Sequence, residues 1–274
     1  MKKTYKLNCH PKNKSKKSCI PNNIIYKLKK QWNLRHPDKK IISNNVNTIR
    51  KQLKKYNSMC NNELCLLNNI DKTMSKELFA PKSPKEWIID KNTWLNSLDI
   101  VNVMSQYEEA YPNFKFIGPS PIDFDEKKLI SCVWPNLCNF DINEHILNNK
   151  RNIGIIFNLD PHYKSGSHWV CMFINLDEKY ILFFDSNGTP IPHQIKKLKD
   201  RIIEQCLQKK IKLKYYDNKN VVHQDTNTEC GMYCLFTIIK LVTKEKNVHF
   251  FIKKKIPDNI VEAYREIYFN KFNI

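Results

Sequence analysis

The chain has 274 residues, 41% hydrophobic and 11% aromatic, enough for a sizeable core; with only five glycines and 13 prolines it is neither collagen-like nor low-complexity. Its formal net charge of +19 is unevenly placed: residues 1–56 hold 17 Lys/Arg against the single acid Asp38, a net of +16, which leaves +3 for residues 57–274. A near-neutral globular chain with a cationic first quarter fits an anionic partner such as nucleic acid, a lipid surface or an acidic protein, with a merely solvated face as the plainer alternative.

Residues 1–19 are polar, Lys-rich and expected to be mobile. Ile24, Ile25, Leu28 and Trp32 recur at helical spacing over residues 22–34, and Ile49, Leu53 and Tyr56 predict a second short helix with lysines on its other faces. Together they describe a basic helical module. The Pro-punctuated stretch 79–85 reads as a boundary, which gives domains 1–83 and 84–274. A helix is predicted over 94–111. Residues 152–159, 168–176 and 179–185 are rich in Val, Ile, Phe and Tyr and read as successive strands. A helix over 193–209, strand-like segments 213–216 and 221–223, an apolar helix over 230–242 and an amphipathic helix over 257–269 follow. The fold class is α+β, a short sheet flanked by helices. In so Gly-poor a chain, Gly118, Gly154, Gly166, Gly188 and Gly231 mark places where a side chain would not fit.

Ten cysteines could build a disulfide framework. Against that, no apolar segment follows Met1-Lys2-Lys3 as a secretory signal would, and no apolar run is long enough to span a bilayer, so a soluble, reducing setting with mostly free thiols is expected. Cys9, His10, Cys19, Cys60 and Cys65 are candidate zinc ligands by type, but none has the tight paired spacing of a zinc ribbon or finger. No metal and no cofactor is expected.

One group of residues carries chemistry. His168-Trp169 opens a strand, and Asp185 ends the next, so on a hairpin the acid lies beside the imidazole and can hold its tautomer. Gln224 precedes Cys230-Gly231, which opens the most apolar helix. A thiol at a helix N-terminus ionises more readily, and the same N–H groups, with the Gln224 amide, can donate to an oxyanion. Nucleophile, base, orienter and oxyanion donor are all present. A lone Cys at a helix start is more often packing, and a lone His structural; the four roles together outweigh those readings. Cys234, one turn on, reads as packing. Cys132, Cys138, Cys171 and Cys206 have no partner pattern, and His223 is a rival base that an alternating strand would turn away from the face of Gln224.

This order and spacing of His168-Trp169, Asp185-Ser186, Gln224 and Cys230-Gly231 resembles the ubiquitin-like-protein-specific cysteine proteases, the SUMO and adenovirus-type group. Within it the similarity is closest to the polyprotein-processing proteases of African swine fever virus and other large DNA viruses. Thr228 to Tyr233 looks like their Cys motif, Asn158-Leu159-Asp160 matches ahead of the His loop, and Ser18-Cys19-Ile20 with Cys60 and Glu63-Leu64-Cys65 looks like their N-terminal arm. The African swine fever enzyme carries Asn where this chain has Asp185, which leaves Asn187 as the runner-up orienter.

The resemblance implies a papain-like catalytic core behind a basic arm, and thiol hydrolysis of viral polyproteins after Gly-Gly during virion maturation, in the virion and the cytoplasmic viral factory. It implies that Trp169 roofs a tunnel admitting little beyond glycine and that Asn158 and Gly231 border the substrate, with a structural turn role for Asn158 an equal reading. Residues 119–124 read from their own sequence as a compact turn that borders the cleft or serves structure alone. Two other readings stand beside it. One is a ubiquitin- or SUMO-deconjugating enzyme with the same chemistry. The other is an inactive protease fold that binds DNA or another polyanion through residues 1–56.

Overall fold

The computed structural model describes residues 7–13, 18–60, 62–71 and 74–272, so part of the expected mobile stretch 1–19 lies outside the described residues. The chain divides into two compact units, one from Met1–Lys85 with Glu266–Ile274 and one from Glu86–Arg265. The C-terminal residues therefore join the N-terminal unit, which a single cut after residue 83 does not anticipate.

In the first unit, α1 (Asn22–Arg35), α2 (Val46–Tyr56), α3 (Glu63–Ile70) and the short α4 (Ser75–Leu78) enclose a small core of Ile25, Leu28, Trp32, Ile49, Leu53 and Leu67. The apolar periodicity of residues 22–34 becomes the inward stripe of α1, and Lys27, Lys30, Lys51 and Lys54 remain exposed. Arg50 ties Ser18, Ile20 and Glu63 together. The stretch expected to be a linker is bonded into this unit. Asn270, 2% exposed, accepts from Ser83 N–H at 2.7 Å and donates to Pro81 and Ala80 carbonyls at 2.8 and 3.0 Å. The prolines keep residues 79–85 extended, and an extended segment offers its remaining polar groups to a partner chain.

The expectation of mostly free thiols is corrected. Cys9–Cys19, Cys60–Cys65 and Cys132–Cys138 are disulfides, with Cα–Cα separations of 5.1, 5.3 and 6.5 Å. The paired cysteines are ten, five and six residues apart, and long-range contacts also place the first pair: Cys9 forms a β-bridge with Phe79, and the Cys19 N–H donates to Glu63. Four of the five candidate zinc ligands are consumed in these disulfides.

The second unit begins with α5 (Ser97–Ala110), whose N-terminus is closed by a reciprocal Asn96–Asp99 capping box. Strand β1 (Phe114–Pro121) follows; its second half was expected to be a turn. A two-stranded ribbon, β2 (Lys127–Lys128) with β3 (Ser131–Cys132), and the short helices α6 (Pro135–Cys138) and α7 (Ile142–Leu147) lead to β4 (Asn152–Asn158), β5 (Trp169–Asn175) and β6 (Tyr180–Phe184). Helix α8 (His193–Gln208), β7 (Lys214–Asp217), α9 (Cys230–Val242), α10 (Val248–Lys253) and α11 (Asp258–Glu262) complete it. The expected strand at 221–223 is irregular chain, and the expected helix over 257–269 is broken into short turns.

The main sheet has the order β1-β4-β5-β6-β7; the outer pairs are parallel and the central β4-β5-β6 meander is antiparallel. Side-chain alternation assigns its faces. Ile153, Ile155, Phe157, Val170, Met172, Ile174, Ile181 and Phe183 pack with Ile195, Leu198 and Ile202 of α8. The opposite face takes α9, all thirteen residues of which are buried. Gly154 makes that approach possible, because a Cβ there would stand 2.8 Å from Ile238 and 3.1 Å from the Phe114 ring. A helix sandwiched in this way must be apolar all round, which is how residues 230–242 read.

Candidate active site

Three connections of the second unit converge at one end of the central meander. The β5–β6 register pairs Cys171 with Phe184, so the residues just outside it, His168 before β5 and Asp185 after β6, lie side by side. His168 Nε2 stands 2.6 Å from Asp185 Oδ1. The Cys230 thiol shares a hydrogen bond with the same imidazole. With Nε2 engaged by Asp185, Nδ1 is the ring nitrogen left for the thiol.

Burial alone would depress the His168 pKa, but hydrogen bonds from Asp185 and Cys230, with their charges, outweigh it and raise it to about 9. Burial would likewise raise Asp185; the imidazole hydrogen bond and charge, with Thr189 and the Asn187 N–H, hold its carboxyl below the usual range. The imidazolium form is thus favoured between a carboxylate and a thiol.

Asp185 is 1% exposed and clamped from several sides. Its N–H donates to Asn218 Oδ1 at 3.0 Å, and Asn218 Nδ2 donates to its carbonyl at 2.6 Å. The Asn187 N–H donates to Oδ1 at 2.9 Å, and the Thr189 hydroxyl donates to Oδ2. Asn187 therefore meets Asp185 through its main chain, and the residue is otherwise exposed. Gln224 Oε1 accepts from Ser186 Oγ at 2.8 Å, and one Nε2 hydrogen goes to Thr226 O at 2.5 Å. Ser186 fixes which way the amide faces.

Cys230 is the first residue of α9, where main-chain N–H groups lack intrahelical acceptors. Gly231 follows because the wall is close: a Cβ would stand 3.2 Å from Leu95 Cβ and 3.3 Å from Trp169 Cδ1. Trp169 is 7% exposed, and its Nε1 donates to Leu95 O at 3.0 Å, which locks the indole against Gly231. Trp169 also lines a cleft of about 590 Å³ with Trp94, Pro119, Trp134, Asn158 and His162. Asn158 Oδ1 accepts from Asp160 and Ser167 N–H groups at 2.9 and 3.2 Å, so this side chain shapes the loop leading to His168 as well as lining the cleft.

The rival residues fall away on physical grounds. His223 is fully buried between Phe184 and Tyr233, accepts from Ile256 N–H at 3.0 Å, and is driven by burial to a pKa of about 4. Its ring is neutral and enclosed, for reasons of packing and not of strand alternation. Burial, helped by a hydrogen bond to Cys171, pushes the Cys234 thiol far up, and burial pushes Cys206 up to about 11. Among the described residues no cluster of His, Cys, Asp and Glu could hold a metal, and no helix is long and apolar enough to cross a membrane. Asn218, Thr189 and the role of Ser186 were not legible in the sequence. Asn218 and Ser186 reach partners more than thirty residues away and Thr189 one four residues back, and none of these polar contacts follows an apolar period.

Residues 100–273 match the Ulp1 protease family, C-terminal catalytic domain. A relative from Acanthamoeba polyphaga mimivirus, named as a thiol protease, is 29% identical over 81% of this chain and 74% of its own length. The SUMO-1 cysteine protease of African swine fever virus is 31% identical over 41% of each chain. The crystal structure of the African swine fever virus pS273R protease covers 98% of this chain and 97% of its own, with a TM-score of 0.69 at 19% identity, a likeness of fold. The mixed sheet-and-helix architecture, the buried thiol at a helix start and the match over more than half the chain agree: the chain belongs to the Ulp1 protease family and is a cysteine protease, with viral proteins among its relatives.

Proposed function

We propose that the chain is a viral endopeptidase that cleaves polyprotein precursors after Gly-Gly, in the virion and the cytoplasmic factory where virions mature. The observation that carries the chemistry is the His168 ring held between Asp185 at 2.6 Å and the Cys230 thiol. Cys230 attacks the scissile carbonyl as thiolate, its proton having passed to His168 Nδ1. The oxyanion takes hydrogen bonds from the Cys230 N–H and the Gln224 amide. His168 then protonates the leaving amine, and water, deprotonated by the same ring, releases the acyl group. Asp185 orients the ring and stabilises its positive charge. Asn187 serves it only through the main chain.

The substrate preference rests on Trp169. An indole held by Leu95 and packed on Gly231 leaves little room beside the thiol, which favours residues without side chains on the acyl side. The basic surface of residues 1–56 is read as a docking face for DNA or an acidic polyprotein, raising local substrate concentration. Deconjugation of a ubiquitin-like protein is the second reading, favoured by the SUMO-1 cysteine protease relative. A Gly-Gly-X peptide and a ubiquitin-like fusion, assayed side by side, separate the two. Cleavage of the peptide is expected; activity on the fusion alone would sink the polyprotein reading.

A further inference from the structure

The residue before the nucleophile is a buried acid. Glu229 is 3% exposed, stands at the N-cap position of α9 without a side-chain cap bond, and meets Arg265, itself 5% exposed, through two parallel bonds: Nε to Oε2 at 3.0 Å and Nη2 to Oε1 at 2.7 Å. The same guanidinium donates from Nη2 to Thr228 O at 3.3 Å and from Nη1 to Thr93 O at 3.1 Å, and lies 4.4 Å from the Trp87 ring centroid. A pair so enclosed loses the hydration of both charges, and apolar residues of similar volume would hold the fold at least as well. What apolar residues could not supply is direction. One planar group with a fixed fork of donors ties the loop ahead of Cys230 to the 93–95 segment, whose Leu95 carbonyl receives the Trp169 indole N–H. From the other side, Asp258 Oδ2 accepts from the N–H groups of Asp225 and Thr226 at 3.1 and 2.8 Å, and Asp258 Oδ1 accepts from the Tyr233 hydroxyl at 2.8 Å. The stretch from Gln224 to Tyr233 is held along its length, with Arg265 bracing its centre.

We infer that Arg265 and Glu229 are positioning residues for the nucleophile: the pair fixes the first turn of α9 so that Cys230 stays against His168 and its N–H stays aimed at the developing oxyanion. The inference rests on the reading of Cys230 as nucleophile. The pair touches no reacting atom, so its effect reaches the reaction through geometry. It falls on kcat more than on KM.

The test uses the full chain. In the double variant Glu229→Leu/Arg265→Met both charges go and the volume is kept. Its melting temperature should stay near that of the wild type, while kcat on a Gly-Gly-X peptide falls about ten- to hundredfold with KM within about threefold. The pH profile of Cys230 alkylation by iodoacetamide should be displaced. A double variant that melts, turns over and alkylates like the wild type overturns the inference. If it does not fold, Arg265→Lys carries the test, since it keeps the charge and loses the fork. A kcat loss of at least about fivefold in a folded protein supports the inference, and an unchanged kcat overturns it. A wild type that cleaves no peptide counts against the protease reading alone, and the alkylation profiles then decide the positioning claim.

Discussion

The two units use charge in opposite ways. In the catalytic unit the charges that matter are buried and spoken for: the Asp185 carboxylate has three hydrogen-bond partners, and Glu229 is matched by the fork of Arg265. In the N-terminal unit the helices bury a narrow apolar stripe and leave Lys27, Lys30, Lys51 and Lys54 exposed, around a small core stapled by Cys9–Cys19 and Cys60–Cys65. Catalysis depends on holding a few groups to within fractions of an ångström. Attraction of a polyanion depends on the number of exposed charges and tolerates motion in each of them. One residue should therefore break the first function, and several are needed to weaken the second.

The sharpest test of this contrast is Cys230→Ala. Peptide hydrolysis should fall by about 10⁴-fold or more, while binding of a DNA duplex, read by fluorescence anisotropy, stays as in the wild type. Residual cleavage near the wild-type rate, or labelling of another cysteine by a Gly-Gly-derived thiol probe, would overturn the assignment. Next in size is Asp185→Asn, expected to lower kcat about 10²- to 10⁴-fold by releasing the imidazole. Asn187→Ala keeps its main-chain bond and should stay within about twofold. The reverse result would make Asn187 the orienter.

That choice also marks how far the sequence could be read. The central meander, α1, α5, α8 and α9 were legible to within a few residues: α1, α5 and α8 bury one face whose period survives in the order of apolar residues, and the strands and α9, buried all round, stand out as near-continuous apolar runs. The pairing of His168 with Asp185 was legible because a hairpin converts sequence order into adjacency. Strand β1 was not, since its Gly118-Pro119 and Pro121 resemble turn punctuation and its partner, β4, lies some thirty residues on. The disulfides were not legible, because a chain without an apolar leader reads as one of free thiols, whereas pairing is decided by how close the folded chain brings two sulfurs. Asn218, Thr189 and Arg265 were missed because no periodicity carries a lone polar contact. Asp185 could be found from sequence; what keeps it rigid could not.

Acidity gives a subtler probe of the same site. The folded-state pKa of His168 is raised to about 9, above the ~6.5 of an unfolded chain. Its stabilisation is therefore complete below about pH 6.5 and lost as pH rises through 9. Asp185 is depressed, so its contribution is present above ~3.9 and lost as pH falls through its lower folded value. The pair stabilises most between these limits. Thermal melting against pH should decline on the alkaline side, and the alkaline limb of kcat/KM should fall near pH 9. Asp185→Asn should move that limb downward. A limb that stays put would mean Asp185 does not set the charge of His168.

The smallest effect expected on chemistry tests the other unit. Replacing Lys27, Lys30, Lys51 and Lys54 with Gln removes four exposed charges and leaves the apolar stripe of Ile25, Leu28, Trp32, Ile49 and Leu53 intact. Deleting the segment would be a poorer experiment, because it would also uncover that core. If the surface docks a duplex, the slope of log binding constant against log salt should become shallower by up to about 0.9 for each lysine that contacts phosphate. Hydrolysis of a short Gly-Gly-X peptide should remain within about twofold, since exposed substitutions away from a site shift stability little. Cleavage of a polyprotein bound to DNA should slow, and the loss should vanish at high salt, where the wild type has lost the same attraction. A salt slope unchanged by four neutralised lysines would locate the polyanion elsewhere, and the cationic first quarter would then be a solvated face.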